Sequence, residues 1–157
     1  MEGVDDPGLQ IATSYRSMAY AYILGRGDGI PYVFVDMKNP KPLVDVYPDE
    51  TFHRSEIIAG IRFHNLSLGK QEIWLVKEQN RLIWQRGSDG FVIINKGDEP
   101  LIVTNLPTKL APGVYTEISH GYNVTVNKQS ILEKFNGESS SFYFFVKTGE
   151  STKSKKK

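Results

Sequence analysis

The hydrophobic period of this chain changes near residue 70, and no other feature constrains the fold as much. Upstream, apolar residues recur at three- and four-residue spacing, the pattern of amphipathic helices, interrupted by one continuously apolar run. Downstream the period drops to two, and short strands follow one another between turn signals. A helix-strand-helix segment followed by an antiparallel sheet is an α+β chain, with the sheet as its larger part.

The first helix is predicted from about Leu9 to Leu24. Ile11, Tyr15, Met18 and Tyr22, with Ala19 and Ile23, share one face. Gly25-Arg26-Gly27-Asp28-Gly29 stops it. Tyr32-Val33-Phe34-Val35, led in by Pro31, reads as a strand buried on both faces. Pro40, Pro42 and Pro48 mark a loop. A second helix is predicted from about Phe52 to Leu68, with Ile57, Ile58, Ile61, Asn65 and Leu68 along one side. Thr51 or Asp49 would cap its start and Gly69 its end. Eight strands are predicted beyond it, at 71–77, 81–86, 91–95, 101–105, 114–118, 122–126, 130–135 and 141–147. Their number and spacing predict an antiparallel β-sandwich. The expected domains are residues 1–69, residues 70–148 and a polar, lysine-ended tail at 149–157.

Composition narrows the chemistry. The 157 residues are 39% hydrophobic and 24% charged, which suits a globular chain with a core. Nineteen Lys plus Arg against 18 Asp plus Glu give a net charge of +1, so nothing global points to nucleic acid or to a membrane surface. Cysteine is absent, which removes disulfides, thiolate metal sites and cysteine nucleophiles. The acidic start, Met-Glu-Gly-Val-Asp-Asp, is not an export signal as it stands, and no apolar run nears the roughly 20 residues of a membrane span.

Most candidate motifs reduce to structure. The glycines at 25, 27 and 29 follow a helix and precede a strand, the reverse of a phosphate loop. Arg26-Gly27-Asp28 spells an adhesion tripeptide that chance produces readily. His53, His64 and His120 show no metal-ligand spacing. No Gly-x-Ser-x-Gly elbow is present. Asn65-Leu66-Ser67 and Asn123-Val124-Thr125 match the glycosylation pattern, which means little without export. Trp74 and Trp84, in consecutive strands, are the candidate glycan-binding residues, because aromatic faces stack on sugar rings. Core packing is their competing role.

Four segments resemble a known family. Met18 through Pro31, with Gly29-Ile30-Pro31, is similar to the last αβ unit of the α-amylase barrel, where Gly-x-Pro opens the eighth strand. Ile61-Arg62-Phe63-His64-Asn65 resembles the Phe-His-Asn signature of the eighth helix in several bacterial α-amylases. Arg86 through Gly97 resembles the start of their C-terminal β-sandwich domain. Leu110-Ala111-Pro112-Gly113-Val114-Tyr115 resembles that domain's Leu-Pro-Gly-x-Tyr strand. Pro42-Leu43-Val44-Asp45 departs from the Arg-Trp-type sequence of the family.

The resemblance implies the final helix-strand-helix of an incomplete TIM barrel followed by an amylase domain C-like sandwich. Complete members hydrolyse α-1,4-glucans such as starch with retention, which needs two carboxyl groups about 5 Å apart. In the family these follow earlier barrel strands, and a whole barrel takes about 250 residues. The chain is therefore expected to carry no catalytic residue and to be inactive alone. The expected partners are the missing N-terminal barrel portion and α-glucan. Calcium, implied for complete members, is expected to use parts outside this chain, so no cofactor or metal ligand is assigned here. Residues 71–147 are expected to fold alone, whereas residues 9–69 are expected to be poorly anchored or to need a partner, because without the rest of a barrel the apolar strand has open edges and the first helix loses the surface under its apolar face.

Overall fold

The computed structural model describes residues 15–31 and 54–149. Within them lie two helices, α1 (Arg16–Gly25) and α2 (Ser55–Leu66), and eight strands. The strands are β1 (Glu72–Lys77), β2 (Arg81–Arg86), β3 (Gly90–Asn95), β4 (Leu101–Pro107), β5 (Gly113–Glu117), β6 (Asn123–Val126), β7 (Ile131–Gly137) and β8 (Ser141–Gly149). All eight expected strands are present, within two residues of their predicted ends. They form one antiparallel sheet in the order β1-β2-β3-β8-β5-β6-β7-β4. The sheet curls over itself, so β3 and β8 face β4 and β7 across a common core as in a sandwich.

Register sorts the side chains onto two faces. Phe91 pairs with Phe145 and Ile93 with Tyr143, and these four point into the sandwich with Tyr115, Leu132 and Phe135. The alternate residues point outward. Val92 pairs with Phe144 and Trp84 with Val92, and this outer face is covered by α1 and α2. Strand β3 is thus buried along its whole length, which is why Phe91-Val92-Ile93-Ile94 is continuously apolar instead of alternating.

The helices are parallel. At their N-terminal ends an Arg54 guanidinium nitrogen donates to Ser17 Oγ at 2.8 Å. At the other end one side chain, Arg86, reaches the terminal carbonyls of both. The strand expected at Tyr32–Val35, the loop after it, the caps Asp49 and Thr51, residues 9–14 of the first helix, His53 and the lysine tail all lie outside the described residues.

Two expectations change. α1 does have a surface under it, but not under the whole of the predicted face: Met18, Ala21 and Leu24 are buried against α2 and the sheet, while Tyr15 and Ile23 of the predicted face are exposed. α2 turns Ile57, Gly60 and Phe63 inward, while Ile58 and Leu68 of the predicted face are exposed. The helix carries apolar residues around much of its circumference, so periodicity by itself does not select the packed side.

Candidate functional site

The helix–sheet junction holds the buried cation Arg86 of the described residues. α1 runs through Gly25 and stops at Arg26, whose extended backbone (φ −71°, ψ 154°) turns the chain away. The left-handed conformation falls later, at Gly29 (φ 82°). The orphaned carbonyls at the helix end are met by the sheet. Trp84 Nε1 donates to the Gly25 carbonyl at 2.8 Å, and Arg86 Nη1 donates to the same oxygen at 3.0 Å and to the Arg26 carbonyl at 2.5 Å. Arg86 Nη2 donates to the Ser67 carbonyl at 2.7 Å, just past α2, and Nε to the Lys70 carbonyl at 3.3 Å. A cation that is 1% exposed is thereby satisfied by backbone at the negative ends of two helix dipoles. Burial lowers the Arg86 pKa, with Glu72 opposing that effect.

Close approach makes these bonds feasible. A Cβ on Gly25 would collide with Trp84 Cζ2, and one on Gly60 would lie 2.9 Å from both Leu24 and Phe144. A larger residue at either position would force the packing between helix and sheet to shift.

The two tryptophans lie together here, ring centroids 5.0 Å apart. Trp84 is 0% exposed and also meets Tyr22 edge-on at 6.0 Å, so its faces are closed to solvent. Trp74 is half-buried. The Arg26 guanidinium and the Lys77 ammonium each lie 5.5 Å from its centroid. A sugar stacking on Trp74 would have to compete with those cations. Arg26 itself is tied to Glu72, Nε to Oε2 at 2.9 Å, and the same carboxylate oxygen accepts the Gly27 N–H at 2.8 Å. Arg26-Gly27-Asp28 is therefore part of the junction.

The remaining motif residues have equally definite places. His64 Nδ1 lies 3.2 Å from the Leu24 carbonyl and joins α2 to α1. Tyr115 is buried, its hydroxyl 2.8 Å from both the Ser88 and the Ala111 carbonyls. Burial, reinforced by the Asp89 charge, pushes its phenol well above the ordinary tyrosine value. Lys70 pairs with Asp89 at 2.8 Å, and the buried Glu117 pairs with His120 at 3.2 Å. Among the described residues no three His, Asp or Glu side chains gather as a metal site. Arg86 is a site residue that no sequence motif marks as one. Its signal is its place at the end of β2, two residues beyond Trp84 and so on the same helix-covered face.

Comparison with known proteins decides what this junction belongs to. Residues 74–151 match the family model described as "Alpha amylase, C-terminal all-beta domain". The chain is a C-terminal part of an α-amylase-family protein. It is 31% identical over 107 residues to an α-amylase of Clostridium acetobutylicum, covering 68% of this chain and 13% of that protein. The chain thus spans a small part of the curated relative's length. Its fold is shared with γ-CGTase from alkalophilic Bacillus clarkii (TM-score 0.68, 17% identity, 91% of this chain and 24% of that one). It is shared as well with a mutant α-amylase I from Eisenia fetida solved with maltohexaose (TM-score 0.59, 18% identity, 84% and 35%). In α-amylase terms, Trp84 and Arg86 are where the C-terminal sheet grips the helices that precede it.

Proposed function

We propose that this chain serves an α-1,4-glucan hydrolase by holding the last helices of its barrel, and that the catalytic carboxylates come from a barrel portion outside this chain. The observation that carries the reading is Arg86, a buried guanidinium spent on the C-terminal carbonyls of both helices. A polar clamp of this kind fixes one orientation of helices to sheet, because any slip leaves carbonyls and a cation unpaired without water. The far side of the helix pair supports the same reading. Ile23, Ile30, Ile58, Leu66 and Leu68 are exposed, Ile30 at 92%, and neighbouring barrel elements would cover them.

Several buried or half-buried carboxylates are already committed: Glu72 to Arg26, Asp89 to Lys70 and Glu117 to His120. Retaining hydrolysis needs a free pair about 5 Å apart. The purified chain is expected to release no reducing ends from soluble starch, and co-expression with the upstream barrel portion is expected to yield a stable, active complex. Starch hydrolysis by the chain alone would overturn the reading. A purely glycan-binding module is the weaker alternative, since the tryptophans proposed for it are packed or cation-covered.

A further inference from the structure

We propose that a second, polar cleft on this chain binds a segment of α-1,4-glucan, with the stacked rings of His120 and Tyr122 as its sugar platform. The choice of α-1,4-glucan rests on the function proposed above. The saccharide character rests on the cleft itself.

The cleft measures about 440 Å³, within the range of small-molecule sites. It opens where the N-terminal ends of α1 and α2 meet the β5–β6 and β7–β8 turns. Arg54, Glu56, His120, Tyr122, Glu138 and Ser140 line it. The His120 and Tyr122 rings lie nearly parallel, 13° apart with centroids at 5.4 Å, and Tyr122 is 47% exposed. An exposed aromatic pair of this kind offers a flat apolar surface to the C–H face of a pyranose.

The platform is held in place from beneath. Glu117, 1% exposed, accepts from Ser119 Oγ at 2.8 Å and from the His120 N–H at 2.5 Å, and its Oε2 lies 3.2 Å from His120 Nδ1. The backbone closes around it, with Glu117 N–H donating to the Tyr122 carbonyl at 2.8 Å and Gly121 taking φ 76°. On the other side Tyr143 meets Tyr122 at 6.3 Å, and its hydroxyl accepts the Glu138 N–H at 2.9 Å. The rings need little ordering on binding, so less of the contact energy is lost to entropy.

The rim fits hydroxyls better than the alternatives. Glu56 and Glu138 would repel an anion. Among the described residues no three His, Asp or Glu side chains gather for a metal ion, and the Arg54 guanidinium in the lining would repel a cation. Carboxylates, a guanidinium and serine hydroxyls together supply the acceptors and donors that sugar hydroxyls require. Position agrees as well. In a (β/α)₈ barrel the loops of the substrate-binding face lead into helix N-termini, and both N-termini border this cleft.

The test is an NMR titration of the ¹⁵N-labelled full chain with maltohexaose and, separately, cellohexaose. Maltohexaose at millimolar concentration should shift amides at 120–122 and 139–141. Tyr122→Ala should weaken the interaction by about tenfold or more, Tyr122→Phe should stay within about twofold, and Trp74→Ala should have no effect. Glu138→Ala is the second probe should Tyr122→Ala perturb the fold, and it should also weaken binding. Absence of shifts at the cleft with either sugar, or undiminished binding by Tyr122→Ala and Glu138→Ala, would overturn the cleft and leave the helix clamp standing. Binding of cellohexaose in preference to maltohexaose would overturn the α-1,4-glucan assignment, and with it the substrate class of the function proposed above.

Discussion

The two faces of the sheet are held in different ways. The inner face is a close-packed aromatic and aliphatic core: Phe91 stacks on Phe145 at 4.6 Å and 6°, and Phe135 meets Phe145 edge-on at 5.2 Å. The outer face also buries apolar residues, Val92, Ile94 and Phe144 under Met18, Leu24 and Phe63. It adds a directional element of its own that reaches the helices, the Trp84 and Arg86 bonds to helix-end carbonyls. Hydrophobic packing tolerates small slips, whereas buried polar groups lose partners at once when geometry shifts. The inner core therefore sets whether the sheet folds, and the outer face sets how the helices sit on it.

The largest effect is expected from Phe91→Ala. Removing a fully buried ring from the inner core should cost about 3–5 kcal/mol, lowering the midpoint of denaturant unfolding for strands and helices together. Arg86→Met should cost about 3 kcal/mol, since it leaves helix-end carbonyls without donors in a dry site. Hydrogen exchange should then show lost protection at 16–25 and 55–66 before the strands. Equal loss in strands and helices would make the two faces one cooperative unit and erase the distinction. Arg86→Lys should recover only part of the loss, because a single ammonium cannot span the carbonyls that the guanidinium fork reaches.

Gly25→Ala sharpens the comparison. The added methyl would collide with the Trp84 ring, so a cost of about 1–3 kcal/mol is expected, with a red shift of tryptophan fluorescence as the helix lifts. Alkaline pH probes the inner face. The Tyr115 phenol stays protonated in the fold at a pH where the unfolded chain ionises it. Its contribution is thus fully present below the ordinary tyrosine value near 10 and declines as pH rises through and beyond it. Tyr115→Phe should flatten that decline in a stability–pH series. The smallest change is expected from Glu72→Gln, about 1 kcal/mol or less, because the Arg26 pair is partly open to solvent. A larger loss would extend the clamp out to β1.

Much of this was legible in the residues. Strands β1 to β8 were readable because alternation and turn chemistry are local properties, and Gly25, His64 and Tyr115 stood out within motifs. The packed side of α2 was not, because Ile57, Ile58 and Ile61 are equally apolar and only the approach of β8 to Gly60 distinguishes them. Trp74 and Trp84 were equally good sugar platforms on paper, yet one is sealed under α1 and the other lies beneath two cations. The pairing of His120 with Tyr122 over Glu117 spans one hairpin. Its relation to Arg54 and Glu138 spans most of the chain.

By itself, then, the sequence determined the order and type of the elements and the family they belong to, since period, breakers and short motifs act within a few residues. Tertiary structure decided which faces were covered and which polar groups met. Burial and hydrogen-bond geometry depend on residues as far apart as Gly25 and Arg86, and no local pattern encodes that distance.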